Sequence, residues 1–257
     1  MSILNSTKLN NLLVNWQPGA VYTSTWLSNQ GFSPSAIAGY CQSNWLRSIG
    51  RGAFVKVGDT YDWSGGLWAI QNQLGLAIHP GGKTALELAG YGHFLPLDRQ
   101  SVMLFGATGV KLPHWLRQQA QVWQIQYFTT NLFERAPLLG LTERRFGDLA
   151  INISTPERAS LEMLYLVPHT QSVEEAWLLM EGLVTLRPRL VQSLLAACNS
   201  IKVRRLFLYL AEQHQHPWFE RLDLRAIDLG VGNRSIVSGG RLDPKYHITV
   251  PANMGIN

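Results

Sequence analysis

Three basic side chains fall within a stretch of the sequence that contains no acidic residue. Arg47, Arg51 and Lys56 lie in the range 33–58, and no aspartate or glutamate interrupts it. Guanidinium and ammonium groups bind phosphate oxygens, and such contacts supply most of the affinity of a protein for a nucleic-acid backbone. The stretch therefore predicts a phosphate-binding surface. A solvated hairpin with three ordinary surface charges is the alternative interpretation.

A second group of basic residues occurs in the C-terminal half. Lys202, Arg204 and Arg205 precede an apolar helical stripe, and Arg145 adds further positive charge. A basic face of this kind suits RNA, a toxin or another acidic partner. A solvated helix end has the same pattern, and the sequence leaves open whether these side chains converge in space.

The segment HPGGKT at positions 79–84 ends like a phosphate-binding loop. That motif requires a glycine five residues before its second glycine, and Ala77 occupies the position. We therefore expect a glycine turn that begins a helix, with Lys83 exposed, rather than a nucleotide site.

Motifs for metal binding and catalysis are weak. His214 and His216 lack the cysteine or carboxylate pattern of a metal site, and we expect both to be solvated at a helix end. The sequence contains no GxSxG, HExxH or EF-hand motif, so it predicts no metal, no cofactor and no enzymatic activity. The alternative, a nucleic-acid-processing enzyme, would need Glu157, Glu162 or Asp148 as its site.

Short helices and a hairpin must position the basic stretch. Thr23 can cap a short helix, and Ser33 followed by Pro34 is a strong start for the next one. Residues 46–57 alternate as two strands of a hairpin. Three helices followed by a hairpin is the order of a winged helix-turn-helix, with its recognition helix at 34–44 and its wing at 47–56. A small helical domain with an attached hairpin is the alternative.

The outward face of the predicted recognition helix has short polar side chains. Ser35, Gln42 and Ser43 lie on it, and Ser33 at its start completes the set of predicted DNA-contacting residues. Glutamine can pair with adenine in the major groove, and small residues let the backbone approach the bases. The helix has no arginine or lysine, which weakens the prediction of direct base reading there.

A chain of 257 residues exceeds the usual size of one domain, and we expect two, 1–97 and 98–257. Strands and helices are interspersed without a βαβ period, which favours the α+β class. A closing hairpin is predicted to pair 235–237 with 246–250. A net charge of +5 favours a polyanionic partner. Because no apolar run approaches the roughly 20 residues of a membrane span, we expect a cytoplasmic protein.

Five segments together resemble the AbiEi family of type IV antitoxins and transcriptional regulators. They occur in order along most of the chain: GYCQSNWLRSIGRGAFVKVGD at 39–59, HPGGKTALELAGYGHFLPL at 79–97, STPERASLEMLYLVP at 154–168, LMEGLVTLRPRLVQSLLAAC at 179–198 and VRRLFLYLAE at 203–212.

The resemblance implies an N-terminal winged helix-turn-helix that represses its own operon by binding promoter repeats, followed by a C-terminal antitoxin domain. The partner gene would encode a nucleotidyltransferase-like toxin, and the type IV class does not require direct contact with it. By the same resemblance, residues 33–44 correspond to the recognition helix and Arg47, Arg51 and Lys56 to the wing. A plain repressor with a C-terminal sensing or dimerisation domain is a further alternative.

Overall fold

The computed structural model describes residues 3–92 and 101–252. Its helices are α1 (Ile3–Val14), α2 (Ser24–Asn29), α3 (Pro34–Gln42), α4 (Trp63–Asn72), α5 (Gly82–Leu88), α6 (His114–Gln119), α7 (Pro156–Leu166), α8 (Val173–Glu181), α9 (Pro188–Ala197) and α10 (Ile201–Gln213). Its strands are β1 (Tyr22–Thr23), β2 (Leu46–Gly50), β3 (Ala53–Lys56), β4 (Ile78–Pro80), β5 (Val102–Ala107), β6 (Ile125–Thr130), β7 (Leu141–Phe146), β8 (Leu149–Ser154), β9 (Arg234–Ser235), β10 (Arg241–Asp243) and β11 (Ile248–Val250). This mixture confirms the predicted α+β class.

The chain divides into two compact units, each assembled from segments that are distant in sequence. Unit 1 comprises Met1–His79, Gly109–Tyr127 and Glu143–Asn152. Unit 2 comprises Pro80–Thr108, Phe128–Thr142 and Ile153–Asn257. The predicted domain boundary near Leu97 lies outside the described residues and stays a prediction.

The first part of unit 1 has the order helix, strand, helix, helix, strand, strand. Its sheet has β3 in the centre, antiparallel to β1 on one side and to β2 on the other. Both predicted helix caps are confirmed, since the Thr23 and Ser33 hydroxyls each accept a hydrogen bond, from the Trp26 and Ala36 amides, at 3.2 Å. These hydroxyls satisfy first-turn amides that have no partner within the helix, so α2 and α3 begin where the sequence predicts.

An aromatic cluster fills the centre of this part of unit 1. The Tyr22 ring centroid lies 4.2 Å from that of Trp16 and 4.6 Å from that of Trp26. Apolar side chains of α1, α2, α3 and the sheet pack around it, and burial of this surface supplies the main stabilisation. The buried members include Leu9, Leu12, Leu27, Ile37, Tyr40 and Leu46.

The Gln73 side chain, at the end of α4, forms hydrogen bonds with the edge strand β1 and the residue before it. The Gln73 carboxamide oxygen accepts hydrogen bonds from the Thr23 amide at 2.8 Å and the Thr23 hydroxyl at 3.0 Å. Its amide nitrogen donates to the Val21 carbonyl at 2.8 Å. Gln73 thus supplies the hydrogen bonds that a further strand would otherwise provide at this edge.

Helix α6 belongs to unit 1 and packs on strand β2. Gly50 approaches it so closely that an added Cβ would lie 2.9 Å from the Trp115 Cβ and 3.1 Å from the Trp115 Cα. The side-chain Nε2 of Gln119 also donates to the Ile49 carbonyl. A segment more than 60 residues further along the chain therefore supports the β2–β3 hairpin.

Unit 2 is organised around α7, which is buried along nearly its whole length. Helices α5, α8, α9 and α10 pack against it. Most of its neighbours contribute aliphatic side chains. In α10, every residue from Val203 to Ala211 is buried except Arg204, which is half-buried. Two 3-10 turns, Phe219–Arg221 and Leu224–Ala226, follow α10.

The C-terminal strands pair differently from the predicted hairpin. Strand β11 lies between β10, which is antiparallel to it, and β9, which is parallel to it. The hairpin therefore joins β10 to β11, and the prediction that 235–237 pairs with 246–250 across the glycine pair at 239–240 was wrong in orientation. A parallel neighbour needs a connection longer than a tight turn, and β10 lies within that connection.

Two further sheets have the strand orders β4-β5-β6 and β7-β8. Gly147 and Asp148 form the two-residue turn between β7 and β8, and Gly147 has a φ of +58° there, a conformation that glycine adopts without strain. Among the described residues, every helix falls short of the length and apolar character that a bilayer crossing requires.

Candidate nucleic-acid interface

Helix α3 separates a buried face from a polar, exposed one. Ile37 and Tyr40 are buried in the core of unit 1, whereas Ser35, Gln42 and Ser43 are exposed. Nothing lies within 4 Å of a Cβ added to Gly39 on the same helix. The exposed surface is therefore open and bears polar groups that can form hydrogen bonds with base edges.

Ser33 differs from the other predicted contact residues because its hydroxyl is already engaged. It accepts the capping hydrogen bond from the Ala36 amide and lies 3.0 Å from the Ser35 hydroxyl. Its main role in the structure is to begin α3. A contact between Ser33 and DNA stays a prediction.

A shallow groove of about 320 Å³ runs beside the start of α3. Lys8 lines it together with Gly31, Phe32 and Ser35, and the Lys8 ammonium donates to the Gly31 carbonyl at 3.4 Å. This adds an exposed cation near the polar face of α3. Sequence reasoning missed Lys8 because a single lysine in an N-terminal helix has no local pattern that indicates its distance from residues 31–39.

The β2–β3 hairpin displays its basic side chains in different directions. Arg51 is exposed in the two-residue turn at the tip, and Arg47 is exposed on β2. The register pairs Leu46 with Lys56 and Arg47 with Val55, so Arg47 and Lys56 project from opposite faces. Lys56 is half-buried on the side of the buried Leu46. Arg47 and Arg51 are therefore more exposed than Lys56.

The basic residues of α10 do not form an exposed patch. Arg205 is 1% exposed, and its guanidinium donates to the carbonyls of Leu229, Gly230, Gly232 and His247 at 2.5–3.1 Å. Burial lowers the pKa of this side chain. The prediction of Arg205 as a surface residue is therefore corrected, because its donors hold the C-terminal loop in place.

The side chains of Lys202 and Arg204 also form hydrogen bonds within unit 2. The half-buried Lys202 ammonium donates to the carbonyls of Tyr165 and Val167. Arg204 donates to the Asp228 carbonyl and pairs with its carboxylate at 3.7 Å. Arg145 is exposed on β7, in the segment that belongs to unit 1. Arg145 therefore belongs to a different unit from the other three residues of the predicted antitoxin surface, and a role for it stays a prediction.

The HPGGKT segment forms the turn that begins α5, and a carboxylate occupies the space beside it. Glu162 accepts hydrogen bonds from the Gly82 amide at 3.3 Å and the Ser154 hydroxyl at 2.8 Å, and it pairs with Arg158. A Cβ on Gly81 would lie 2.1 Å from the same carboxylate. A phosphate is excluded from this position by charge and by volume. Lys83 is half-buried and pairs with Glu175, so its predicted full exposure was wrong.

The three carboxylates that an enzyme would need according to the alternative interpretation are either in ion pairs with arginine or exposed in a turn. Glu157 is 3% exposed and accepts from the Arg187 amide and guanidinium. Glu162 is buried in the pair with Arg158, and Asp148 is exposed in the β7–β8 turn. Within the described residues, no group of three or more histidine, cysteine or acidic side chains is arranged to hold a metal ion.

His216 is buried and His214 is half-buried, contrary to the expectation that both histidines after α10 are solvated. His216 is 2% exposed, stacks on Trp218 with ring centroids 5.0 Å apart, and has Nε2 at 2.8 Å from the Met180 carbonyl. His214 packs on Trp177 at 4.1 Å. Burial lowers the pKa of both imidazoles. The chain turns inward after α10, so the helix end is covered by aromatic rings.

Comparison with a solved structure supports the overall fold. The crystal structure of the RV2827C protein from Mycobacterium tuberculosis matches 96% of this chain and 92% of that chain, with a TM-score of 0.61 and 15% sequence identity. At this identity the likeness shows a shared fold alone. No curated protein matches the sequence significantly.

Family models account for nearly the whole chain. Residues 5–97 match the model described as "Transcriptional regulator, AbiEi antitoxin N-terminal domain". Residues 99–251 match the model described as "Transcriptional regulator, AbiEi antitoxin, Type IV TA system". The resemblance carried by the five sequence segments is confirmed, and the chain belongs to the AbiEi family of antitoxins and transcriptional regulators of type IV toxin–antitoxin systems.

Proposed function

We propose that this protein is the antitoxin of a type IV abortive-infection pair and that it represses its own operon by binding repeats in the promoter. The single observation that carries the DNA-binding part is the exposed polar face of α3 beside the basic β2–β3 hairpin. Helix α3 would act as the recognition helix and the hairpin as the wing of a winged helix-turn-helix. A repressor meets its promoter in the cytoplasm, where we place the protein.

Helix α3 and the β2–β3 hairpin would have different roles in DNA recognition. Arg47 and Arg51 have exposed guanidinium groups that suit phosphate oxygens, which gives affinity without sequence preference. Ser35, Gln42 and Ser43 have short or flexible polar groups that suit base edges in the major groove. Lys56, half-buried on the other face of the hairpin, would contribute less than Arg47 or Arg51.

The C-terminal half would oppose a nucleotidyltransferase-like toxin without a requirement for a stable complex. The family membership supports this role. We further propose that the protein acts without catalysis of its own, since Glu157 and Glu162, which an enzymatic alternative would need, are buried carboxylates that are each engaged in an ion pair with an arginine. Phage defence follows if the toxin is released from control during infection.

A mobility shift with the DNA upstream of the operon tests the DNA-binding part. The full chain should bind this DNA more tightly than unrelated DNA, and binding should weaken steeply as salt rises. Arg51→Ala should reduce affinity by about tenfold at low salt. Arg225→Ala, which removes an exposed arginine of unit 2, is the charge-matched control and should leave binding unchanged.

Co-expression with the neighbouring toxin gene tests the antitoxin part separately. Arg51→Ala should still rescue growth, because the hairpin serves DNA binding in this proposal. If Arg51→Ala abolished rescue and spared operator binding, the proposed division of roles would be wrong. If the wild-type protein showed no selective shift, the winged-helix assignment would be the first to abandon.

A further inference from the structure

Unit 1 contains a second groove, of about 350 Å³, and Tyr61 is one of the residues that line it. It is lined by Thr60, Tyr61, Asp62, Phe146, Gly147 and Leu149, among others. Three segments that are distant in sequence, 18–19, 60–64 and 146–149, therefore form its walls. The Asp62 carboxylate is engaged as the cap of α4, accepting from the Ser64 amide at 2.8 Å and the Ser64 hydroxyl at 2.6 Å.

Each aromatic wall of this groove has an arginine over its ring. The Arg47 guanidinium carbon lies 5.3 Å from the Tyr61 ring centroid, and that of Arg144 lies 6.0 Å from the Phe146 ring centroid. Both arginines are exposed. An exposed guanidinium that lies over a ring can add a hydrogen bond to a phosphate oxygen at its edge.

Strand alternation decides which residues of β7 face this groove. Successive side chains of a strand point to opposite sides, so Arg144 shares a side with Phe146. Glu143 and Arg145 share the other side. Arg144 therefore lies on the side of the strand that bears Phe146, which lines the groove, and the adjacent acidic residue lies on the other side.

We propose that Arg144 contacts a DNA backbone phosphate in the same complex as Arg47, so that the DNA interface extends from the β2–β3 hairpin to the β7–β8 hairpin. The inference rests on the proposed function, because it takes Arg47 to be bound to DNA. Continuity with Arg47 favours DNA over an acidic protein as the occupant. The interface then includes a strand that follows residue 97 in the sequence.

Two adjacent arginines provide a matched test in the full-length protein. Arg144→Ala and Arg145→Ala remove the same charge from neighbouring positions on opposite sides of one strand. Affinity for the upstream DNA would be measured by fluorescence anisotropy across a salt series for both variants, for Arg47→Ala and for the wild type. Arg144→Ala should weaken binding about tenfold at low salt and lower the slope of log affinity against log salt by about 0.9. Arg145→Ala should change affinity less than about twofold, since it lies on the far side.

A folding control and an additional variant distinguish the possible outcomes. Circular dichroism checks that each variant folds, and Arg144→Lys, which keeps the charge, should restore most of the salt slope even if the alanine variant were unstable. Equal effects of Arg144→Ala and Arg145→Ala would overturn the inference. So would unchanged binding in Arg144→Ala while Arg47→Ala is impaired, and the proposed function would then survive. Absence of selective binding by the wild type would refute both. Loss of toxin rescue with intact DNA binding in Arg144→Ala would assign the groove to a protein partner and also overturn the inference.

Discussion

The Glu157 carboxylate and the Arg187 guanidinium form a bidentate ion pair, with Nε at 2.9 Å from Oε1 and Nη2 at 3.0 Å from Oε2. The Arg187 amide donates to Oε1 as well, at 3.0 Å. Burial acts to raise the pKa of Glu157, but the hydrogen bonds from Arg187 outweigh it and the pKa lies below its usual value. The pair joins the first turn of α7 to the residue that precedes α9.

This pair predicts a loss of stability in acid. A carboxyl group with a lowered pKa in the folded state stabilises the protein above its usual pKa of about 4.3, and the contribution disappears as pH falls through the folded value. Glu157→Gln should destabilise the protein by about 1–2 kcal/mol at pH 7, a figure reduced because Arg187 is 62% exposed and stays solvated.

Urea unfolding between pH 7 and pH 3 would measure this effect. The Glu157→Gln curve should converge on the wild-type curve as pH falls. Glu134→Gln, at an exposed position, is the control and should follow the wild type throughout. Parallel curves for Glu157→Gln and wild type would contradict the assignment.

The burial of His216 and the partial burial of His214 predict a second loss of stability on acidification, in a pH range above that of Glu157. Because burial lowers the pKa of His214 and His216, the folded protein holds them neutral, and the unfolded chain binds protons first as pH falls below about 6.5. The free energy of unfolding should fall between pH 7 and pH 5 by at most about 1.4 kcal/mol per pH unit for each histidine. His216→Phe, which keeps an aromatic ring against Trp218, should flatten this part of the curve, and an unchanged slope would show that His216 does not contribute.

The contact between Gly50 and Trp115 predicts that a single methyl group disturbs the β2–β3 hairpin. Gly50 has a φ of +156°, and a Cβ there would clash with Trp115. Gly50→Ala should cost about 1–3 kcal/mol of stability and weaken DNA binding. Gly39→Ala is the control, because its Cβ enters open space in a helix and should stabilise the protein by about 0.5–1 kcal/mol. Equal stability of the two variants, measured by urea unfolding, would argue against the packing of α6 on β2.

The position of Arg205 predicts that its removal acts through folding. Arg205→Ala would remove the donor of the Leu229, Gly230 and Gly232 carbonyls and leave a space in the core, at a cost of about 3 kcal/mol or more. Thermal unfolding should show a clear drop in Tm, with toxin rescue reduced in proportion to protein abundance. Arg225→Ala should change stability by less than about 0.5 kcal/mol. Lost rescue with an unchanged Tm would instead make Arg205 a contact residue.

Local patterns predicted the parts of the fold that depend on neighbouring residues. Ser33 and Pro34 begin α3 because capping and proline geometry act within one helical turn. Leu46 to Lys56 form the predicted hairpin because alternation and a two-residue turn are also local.

Distant partners explain what the sequence did not predict. The burial of Arg205 depends on carbonyls 24 to 42 residues away, and a run of basic residues looks the same whether those carbonyls are present or not. His216 is buried because the chain turns back against Met180, 36 residues earlier. For Arg144 a weak signal existed, since Arg144 and Phe146 alternate on one side of a strand, but nothing local indicated that this strand belongs with residues 1–79.

The discontinuous composition of unit 1 has a consequence for its synthesis. A ribosome releases the chain from the N terminus, and domains generally fold as their residues emerge. Strand β2 leaves the ribosome well before Trp115, and the last segment of unit 1 ends at Asn152 of a 257-residue chain. The unit that bears the β2–β3 hairpin is therefore completed only after two segments of unit 2, Pro80–Thr108 and Phe128–Thr142, have been translated. A nascent chain stalled before residue 119 would present this hairpin without the helix that supports it, so premature termination should yield a product prone to degradation rather than a free DNA-binding fragment.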